Sequence, residues 1–184
     1  LASPTKAFVP LSFELGEAFQ FDWSEEGLVI GGVWRKLLVA HLKLCASRAF
    51  VLVAYPSQGH EMLFDAHNRA FAVFGGVPRR GIYDNMRTAV DRVGRGKLRE
   101  VKARFSAMAS HFLFEAQFCN PASGWEKGQV EKNVQDARPR LWQPMPNFPD
   151  LAALNDWLER RCLELWREIP HGVLPGTVAD AWAE

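Results

Sequence analysis

Three acidic residues in three short motifs carry the chemistry this sequence can offer. They are Asp22 in Phe-Gln-Phe-Asp-Trp, Asp84 in Ile-Tyr-Asp-Asn, and Glu131 in Lys-Gly-Gln-Val-Glu-Lys-Asn. Asp22 and Asp84 each end an apolar run, where a strand delivers a carboxylate to the edge of a sheet. Glu131 falls in a stretch that reads as a helix. Carboxylates are the hard oxygen donors that Mg²⁺ prefers, and two ions about 3.5–4 Å apart can activate an attacking hydroxyl and stabilise a leaving oxygen at phosphorus. Without a cation, three converging carboxylates repel and raise one another's pKa. Cation binding is therefore expected to be coupled to order in the site. Taken singly, each acid has an ordinary explanation: a turn former at a strand end, Asp-Asn turn chemistry, a solvated helix face. Lys127, four residues before Glu131, stands in the less favourable order for a helical ion pair. The case rests on the three together.

Periodicity supplies the elements that must position them. Residues 17 to 24 alternate as a strand carrying Asp22, and Glu25-Glu26-Gly27 is expected to turn the chain. A strand from about Leu28 to Leu44 follows, bent at Gly31-Gly32. After Ala46-Ser47-Arg48 the run from Ala49 to Tyr55 is apolar and β-favouring, completing an antiparallel meander. His60 to Phe74 repeats apolar residues at helical spacing and stops at Gly75-Gly76. Arg80 to Tyr83 is a short strand delivering Asp84, expected to run parallel to its neighbour after the crossover helix. Helical patterns follow at about 86–91, 97–111, 128–137 and 150–168, with a final strand between Phe112 and Cys119. The expected fold is α/β and ribonuclease-H-like: a five-stranded mixed sheet, three strands antiparallel and two parallel, flanked by helices. Residues 1–16 are read as a linker, 17–140 as the catalytic core, and 141–184 as a C-terminal helical extension and linker.

Composition narrows the function classes. At 184 residues and 48% hydrophobic, the chain can bury one sizeable core. No run of 18 apolar residues suggests a transmembrane helix. Three cysteines (Cys45, Cys119, Cys162) without CxxC spacing read as reduced thiols of a cytosolic protein. The start lacks a Met and a signal pattern, so the chain is expected to be a piece of a longer protein. A net charge of +1 hides asymmetry. Residues 87 to 104 hold Arg87, Arg92, Arg95, Lys97, Arg99, Lys102 and Arg104 against Asp91 and Glu100, while residues 1 to 31 hold five acids against Lys6.

Four strings in a fixed order resemble one family. Phe-Asp-Trp at 21–23, Ala-Phe-x-x-Phe-Gly-Gly-Val-Pro at 70–78, Tyr-Asp-Asn-x-x-Thr-Ala-Val at 83–90 and Lys-Gly-x-Val-Glu-x-x-Val at 127–134 are similar to the catalytic core of IstA-type insertion-sequence transposases. These belong to the DDE transposase and retroviral-integrase superfamily, and the likeness runs from about Glu14 to Trp166. The resemblance implies Asp22, Asp84 and Glu131 as catalytic metal ligands for two Mg²⁺ ions, with Mn²⁺ as a substitute. It implies cleavage at transposon ends by water, then attack of the freed 3′ hydroxyl on target DNA. It also implies a helix-turn-helix region before the core and a small β domain after it. Partners would be double-stranded DNA, further copies of the chain and an IstB-type AAA+ ATPase, in the bacterial cytoplasm at the nucleoid, with no membrane. The 47 residues between Asp84 and Glu131 exceed the spacing of the best-known integrases, and the basic helical stretch at 87–111 is where the extra length falls.

Further candidates surround that trio. Asn85 could orient Asp84 or a bound water, or cap the next helix. Lys127 and Lys132 flank Glu131 and could meet phosphates. Arg87, Arg92, Arg95, Lys97 and Arg99 form a stripe suited to salt-sensitive backbone contacts. Trp23 is expected to wall the site beside Asp22, while His67 and His111 are expected in core or rim rather than as ligands. A stand-alone ribonuclease-H-like nuclease and an inactive DNA-binding or oligomerisation module are the alternatives; fold alone does not separate them.

Overall fold

The computed structural model describes residues 12–57, 59–83, 98–118, 141 and 147–184, with backbone alone at 98, 99 and 101. Its strands are β1 (Ala18–Ile30), β2 (Val33–Leu44), β3 (Phe50–Tyr55), β4 (Arg80–Tyr83) and β5 (Glu115–Phe118). Its helices are α1 (His60–Phe74), α2 (Leu98–Phe112), α3 (Leu151–Glu168) and α4 (Val178–Ala183). The sheet order is β3-β2-β1-β4-β5. β1 pairs antiparallel with β2, and β2 with β3, whereas β4 runs parallel to both β1 and β5. This is the five-stranded mixed sheet that the patterns lead one to expect.

The first turn lies elsewhere than expected. Glu25-Glu26-Gly27 continues β1, and the chain reverses at Gly31-Gly32. Both glycines have positive φ (60° and 80°), the left-handed pair that a two-residue hairpin loop needs and that only glycine adopts without steric cost. The supposed turn residues fit a strand because their neighbours suit them. Glu25 pairs with Lys36 at 2.8 Å. Gly27 leaves room for the Trp34 indole, whose nearest ring atom lies 2.7 Å from where a β-carbon would stand.

Alternation along the strands divides the sheet into two faces. Phe19, Phe21, Trp23, Ala40, Leu42, Val51, Val53 and Tyr55 pack with α1 and α2 in one core cluster. Leu28, Ile30, Leu37, Val39, Leu52 and Ala54 pack against α3 in another, with Leu141. α1 ends where Gly75 takes φ 80° and donates its N–H to the Phe71 carbonyl. α2 ends at Leu113, also left-handed (φ 61°), after which Phe114 bonds back to Ala109. That stop delays β5 until Glu115.

β4 stands directly against β1, with Phe19 opposite Gly81. A β-carbon on Gly81 would lie 2.4 Å from the Phe19 ring, which is fully buried and edge-on to His67, Phe71, Tyr83 and Phe114. A ring so hemmed in cannot swing aside. Gly81→Ala is expected to cost about 1–3 kcal/mol, the usual range for overpacking, read as a lower urea midpoint at unchanged slope.

α3 runs along the outer edge of β3. The Asn155 amide accepts from Ala54 N–H at 2.7 Å and donates to Ala54 C=O at 3.0 Å. The Trp166 indole N–H donates to Phe50 C=O at 2.8 Å. Open strand edges invite pairing with other chains, and here three of the edge's backbone groups are met by side chains. Asp150 caps α3 by accepting from Ala153 N–H. α4 was not foreseen; six residues are too few for a periodicity signal, although Thr177 and Asp180 form a reciprocal capping box. Among the described residues no helix is long and apolar enough to cross a membrane.

Candidate metal centre

Asp22 sits in β1, half-buried, directly opposite His41 of β2. Its Oδ1 accepts the Trp23 backbone N–H at 2.8 Å, which restricts the carboxylate rotamer. The alternation that buries Phe21 and Trp23 against α1 turns Asp22 to the other face of the sheet, together with Gln20, Ser24 and Glu26. Across the strand pair, Lys43 stands opposite Gln20 and His41 opposite Asp22. This portion of the face is polar, whereas the same face farther along β1 carries Leu28 and Ile30 beneath α3.

Next to Asp22 lies a hydrogen-bonded chain that the sequence reading missed. Ser24 Oγ is 2.7 Å from His41 Nε2 and donates to Glu26 Oε1 at 3.2 Å. A hydroxyl has one proton. If that proton goes to Glu26, Ser24 accepts from His41 Nε2–H, because the hydroxyl cannot donate to both. Glu26 is four residues from Asp22 along a strand, roughly 13 Å at about 3.3 Å per residue, too far for the two carboxylates to share one ion. The signal available in the sequence was the alternating polar series 20, 22, 24, 26. Pairing it with His41 required the correct turn.

Asp22 supplies the kind of donor that Mg²⁺ takes. Asp84 and Glu131, the other two expected ligands, lie outside the described residues, as do Asn85, Arg87, Arg92, Arg95, Lys97, Lys127 and Lys132. Arg99 lies in α2 with its side chain undescribed; Lys102 and Arg104, farther along that helix, are exposed. Among the described residues no group of three or more His, Cys, Asp or Glu is placed to hold a metal ion. Two open clefts, one beside Glu17 and Arg80 and one between α2 and β5, do not include Asp22. Among the described residues, the surroundings of Asp22 form a polar sheet face.

Trp23 does not wall this site. The strand pleat sends it to the opposite face, against Phe21 and Tyr55 at 5.4 and 6.0 Å between ring centres, where its buried indole N–H has no acceptor among the described residues. His111 is exposed beside Phe64. His67 is fully buried, and burial lowers its pKa to about 4. An unfolded chain takes up a proton on this residue below about pH 6.5, while the folded one resists until about pH 4. Stability attributable to His67 is thus complete above pH 6.5 and falls as the pH drops through that window. The expected loss from pH 7 to pH 5 is about 2 kcal/mol. Urea titrations at both pH values should find this acid limb flattened in His67→Gln.

Comparison with known proteins places the chain. No protein-family model matches it. It is 70% identical over 177 residues to a transposase of Aminobacter aminovorans, covering 96% of this chain and 35% of that protein. It is 65% identical, with the same coverages, to the transposase for insertion sequences IS1326/IS1353 of Pseudomonas aeruginosa. The chain thus spans about a third of the length of these relatives. Among solved structures, the HTLV-2 integrase catalytic core domain in complex with magnesium superposes with a TM-score of 0.64 at 15% identity, covering 91% of this chain and 96% of that one. That likeness establishes the ribonuclease-H-like integrase fold. With this sheet, and with relatives this similar over 96% of its length, the chain belongs to the insertion-sequence transposases.

Proposed function

We propose that this core cuts DNA at transposon ends and joins the freed ends to target DNA, using Asp22, Asp84 and Glu131 as its acidic site. The observation that carries the reading is the β1–β4 register. Gln20 pairs with Ile82, an offset of 62 residues, and 62 residues also separate Asp22 from Asp84. β4 is described up to Tyr83, the residue before Asp84. The reading is supported by this match between the offset of the pairing and the spacing of the two aspartates; Asp84 itself lies outside the described residues.

The acids would hold two Mg²⁺ ions, for which Mn²⁺ could substitute; when bound they polarise the phosphodiester and stabilise charge on the attacking and leaving oxygens. The chain's own part is to orient. Asp22 projects from a strand held on both sides, with one oxygen fixed by Trp23 N–H. Water attacks phosphorus at the transposon end and the 3′ oxygen leaves. That 3′ hydroxyl then attacks a target phosphodiester, whose own 3′ oxygen leaves. One phosphodiester is made for one broken, so strand transfer needs no external energy and no covalent protein intermediate. Residues 17–140 are proposed as the catalytic unit, with 141–184 bracing it. In the complete protein, partners are double-stranded DNA, further copies of the chain and an IstB-type AAA+ ATPase, in the bacterial cytoplasm. A crystal soaked in Mn²⁺ tests the site: anomalous density shared by Asp22, Asp84 and Glu131 is expected, and a cation bound elsewhere removes the proposal.

The basic stripe has a separate test. If Arg95, Lys97 and Arg99 meet phosphates, changing all three to Gln should weaken binding alike for every DNA sequence. The slope of log K against log salt should shrink by roughly 3, about 0.9 per contact. Fluorescence anisotropy at several salt concentrations measures this, and an unchanged slope returns the three to solvent.

A further inference from the structure

His67 and Tyr83 form a buried pair that the proposed chemistry does not use. His67 Nδ1 is 2.7 Å from the Leu63 carbonyl, and its Nε2 is 2.7 Å from the Tyr83 hydroxyl. A carbonyl only accepts, so Nδ1 carries the proton. In the neutral ring Nε2 is then bare and accepts from Tyr83. Burial keeps both groups uncharged, lowering the His67 pKa and raising that of Tyr83. One tautomer is thereby fixed.

The position of the pair gives it a meaning beyond packing. His67 stacks on Phe21 at 5.0 Å and an interplanar angle of 22°, and Phe21 immediately precedes Asp22. Tyr83 immediately precedes Asp84. A single α1 side chain therefore grips the residue before each of two proposed ligands, by a ring stack on β1 and by a hydrogen bond on β4. Tyr83 is locked further by stacking on Phe118 and by the edge of Phe105. An apolar core would fill this space equally well, whereas a directional bond also fixes how far β4 slides along β1.

We propose that His67 and Tyr83 are positioning residues: their pairing holds Phe21 and Tyr83, the residues before two proposed ligands, in fixed relation to one another, and so sets the affinity of the site for divalent cations. The inference rests on the metal-site reading above. Its test uses the complete protein without DNA and reads Mn²⁺ binding by the electron paramagnetic resonance of the free ion, alongside urea stability and the imidazole ¹⁵N spectrum. Tyr83→Phe should shift the Nε2 resonance and weaken Mn²⁺ binding about tenfold, the low end for residues that orient ligands, while most of the protein stays folded. His67→Gln, whose amide oxygen can accept from Tyr83, should bind Mn²⁺ more tightly than His67→Leu. An affinity unchanged in the folded fraction of Tyr83→Phe overturns the inference, as does equal binding by the Gln and Leu variants. Asp22→Asn separates the two ideas. If it also leaves Mn²⁺ binding intact, the metal-site reading has failed; if it alone abolishes binding, only the positioning role has.

Discussion

Asp22→Asn is expected to leave the complete transposase bound to transposon-end DNA while reducing strand transfer about 10³-fold or more. The substitution is nearly isosteric. An amide oxygen can still accept the Trp23 N–H that the carboxylate now holds at 2.8 Å, which keeps this local bond. The negative charge is lost, and one acceptor oxygen becomes an amide NH2 donor. Stabilising the charge that develops at phosphorus is worth several kcal/mol, and each 1.4 kcal/mol is tenfold in rate. Band-shift assays beside joint-product formation on supercoiled target DNA separate the two effects. Strand transfer within tenfold of wild type would remove Asp22 from the site. Ser24→Ala provides the contrast, since it breaks the link from His41 to Glu26 without touching a proposed ligand.

Trp166→Ala should be among the most destabilising single changes in the chain, costing about 3–5 kcal/mol. Trp166 is 2% exposed and stands where α3 leaves one face of the sheet for the other. Its neighbours Leu165 and Cys162 belong to the cluster beneath α3, while its own ring joins the cluster around α1. It stacks on Phe74 at 6.2 Å and lies 5.5 Å from Trp182. Trp182 in turn donates its indole N–H to the Phe74 carbonyl at 3.0 Å. Truncation leaves a cavity and an unpaired Phe50 carbonyl together. The midpoint in urea should fall, and native-state hydrogen exchange should show α3 and α4 opening with β3. If that midpoint hardly moves, residues 150–184 are an appendage rather than a brace.

Long periodic segments could be read from the sequence because their burial is regular. α1, α3 and β4 lie within a residue of where their apolar spacing puts them, and Asp22 was identifiable because it follows an aromatic alternation. The hairpin was misread because Glu25, Glu26 and Gly27 look like a turn when taken locally. Their strand conformation depends on Lys36 and Trp34, partners that only the folded register supplies. That one error hid the neighbourhood of Asp22 as well. Which residue of β2 faces position 22 follows from counting back from the turn, so a turn set at 25–27 cannot bring His41 opposite Asp22. Trp23 failed for a simpler reason: adjacent residues in a strand point to opposite faces. The role of His67 as a core residue was legible, but its bond to Tyr83 joins a helix to a strand across 16 residues and leaves no trace in spacing.

The bonds from Asn155 and Trp166 to the rim of β3 bear on how this chain can meet a second copy of itself. With that margin covered by its own helix, another copy finds little ladder there to extend, and β5 is left as the opposite edge of the sheet. A gene fragment trimmed before Pro149 would bare the row and yield material inclined to precipitate by strand-upon-strand growth.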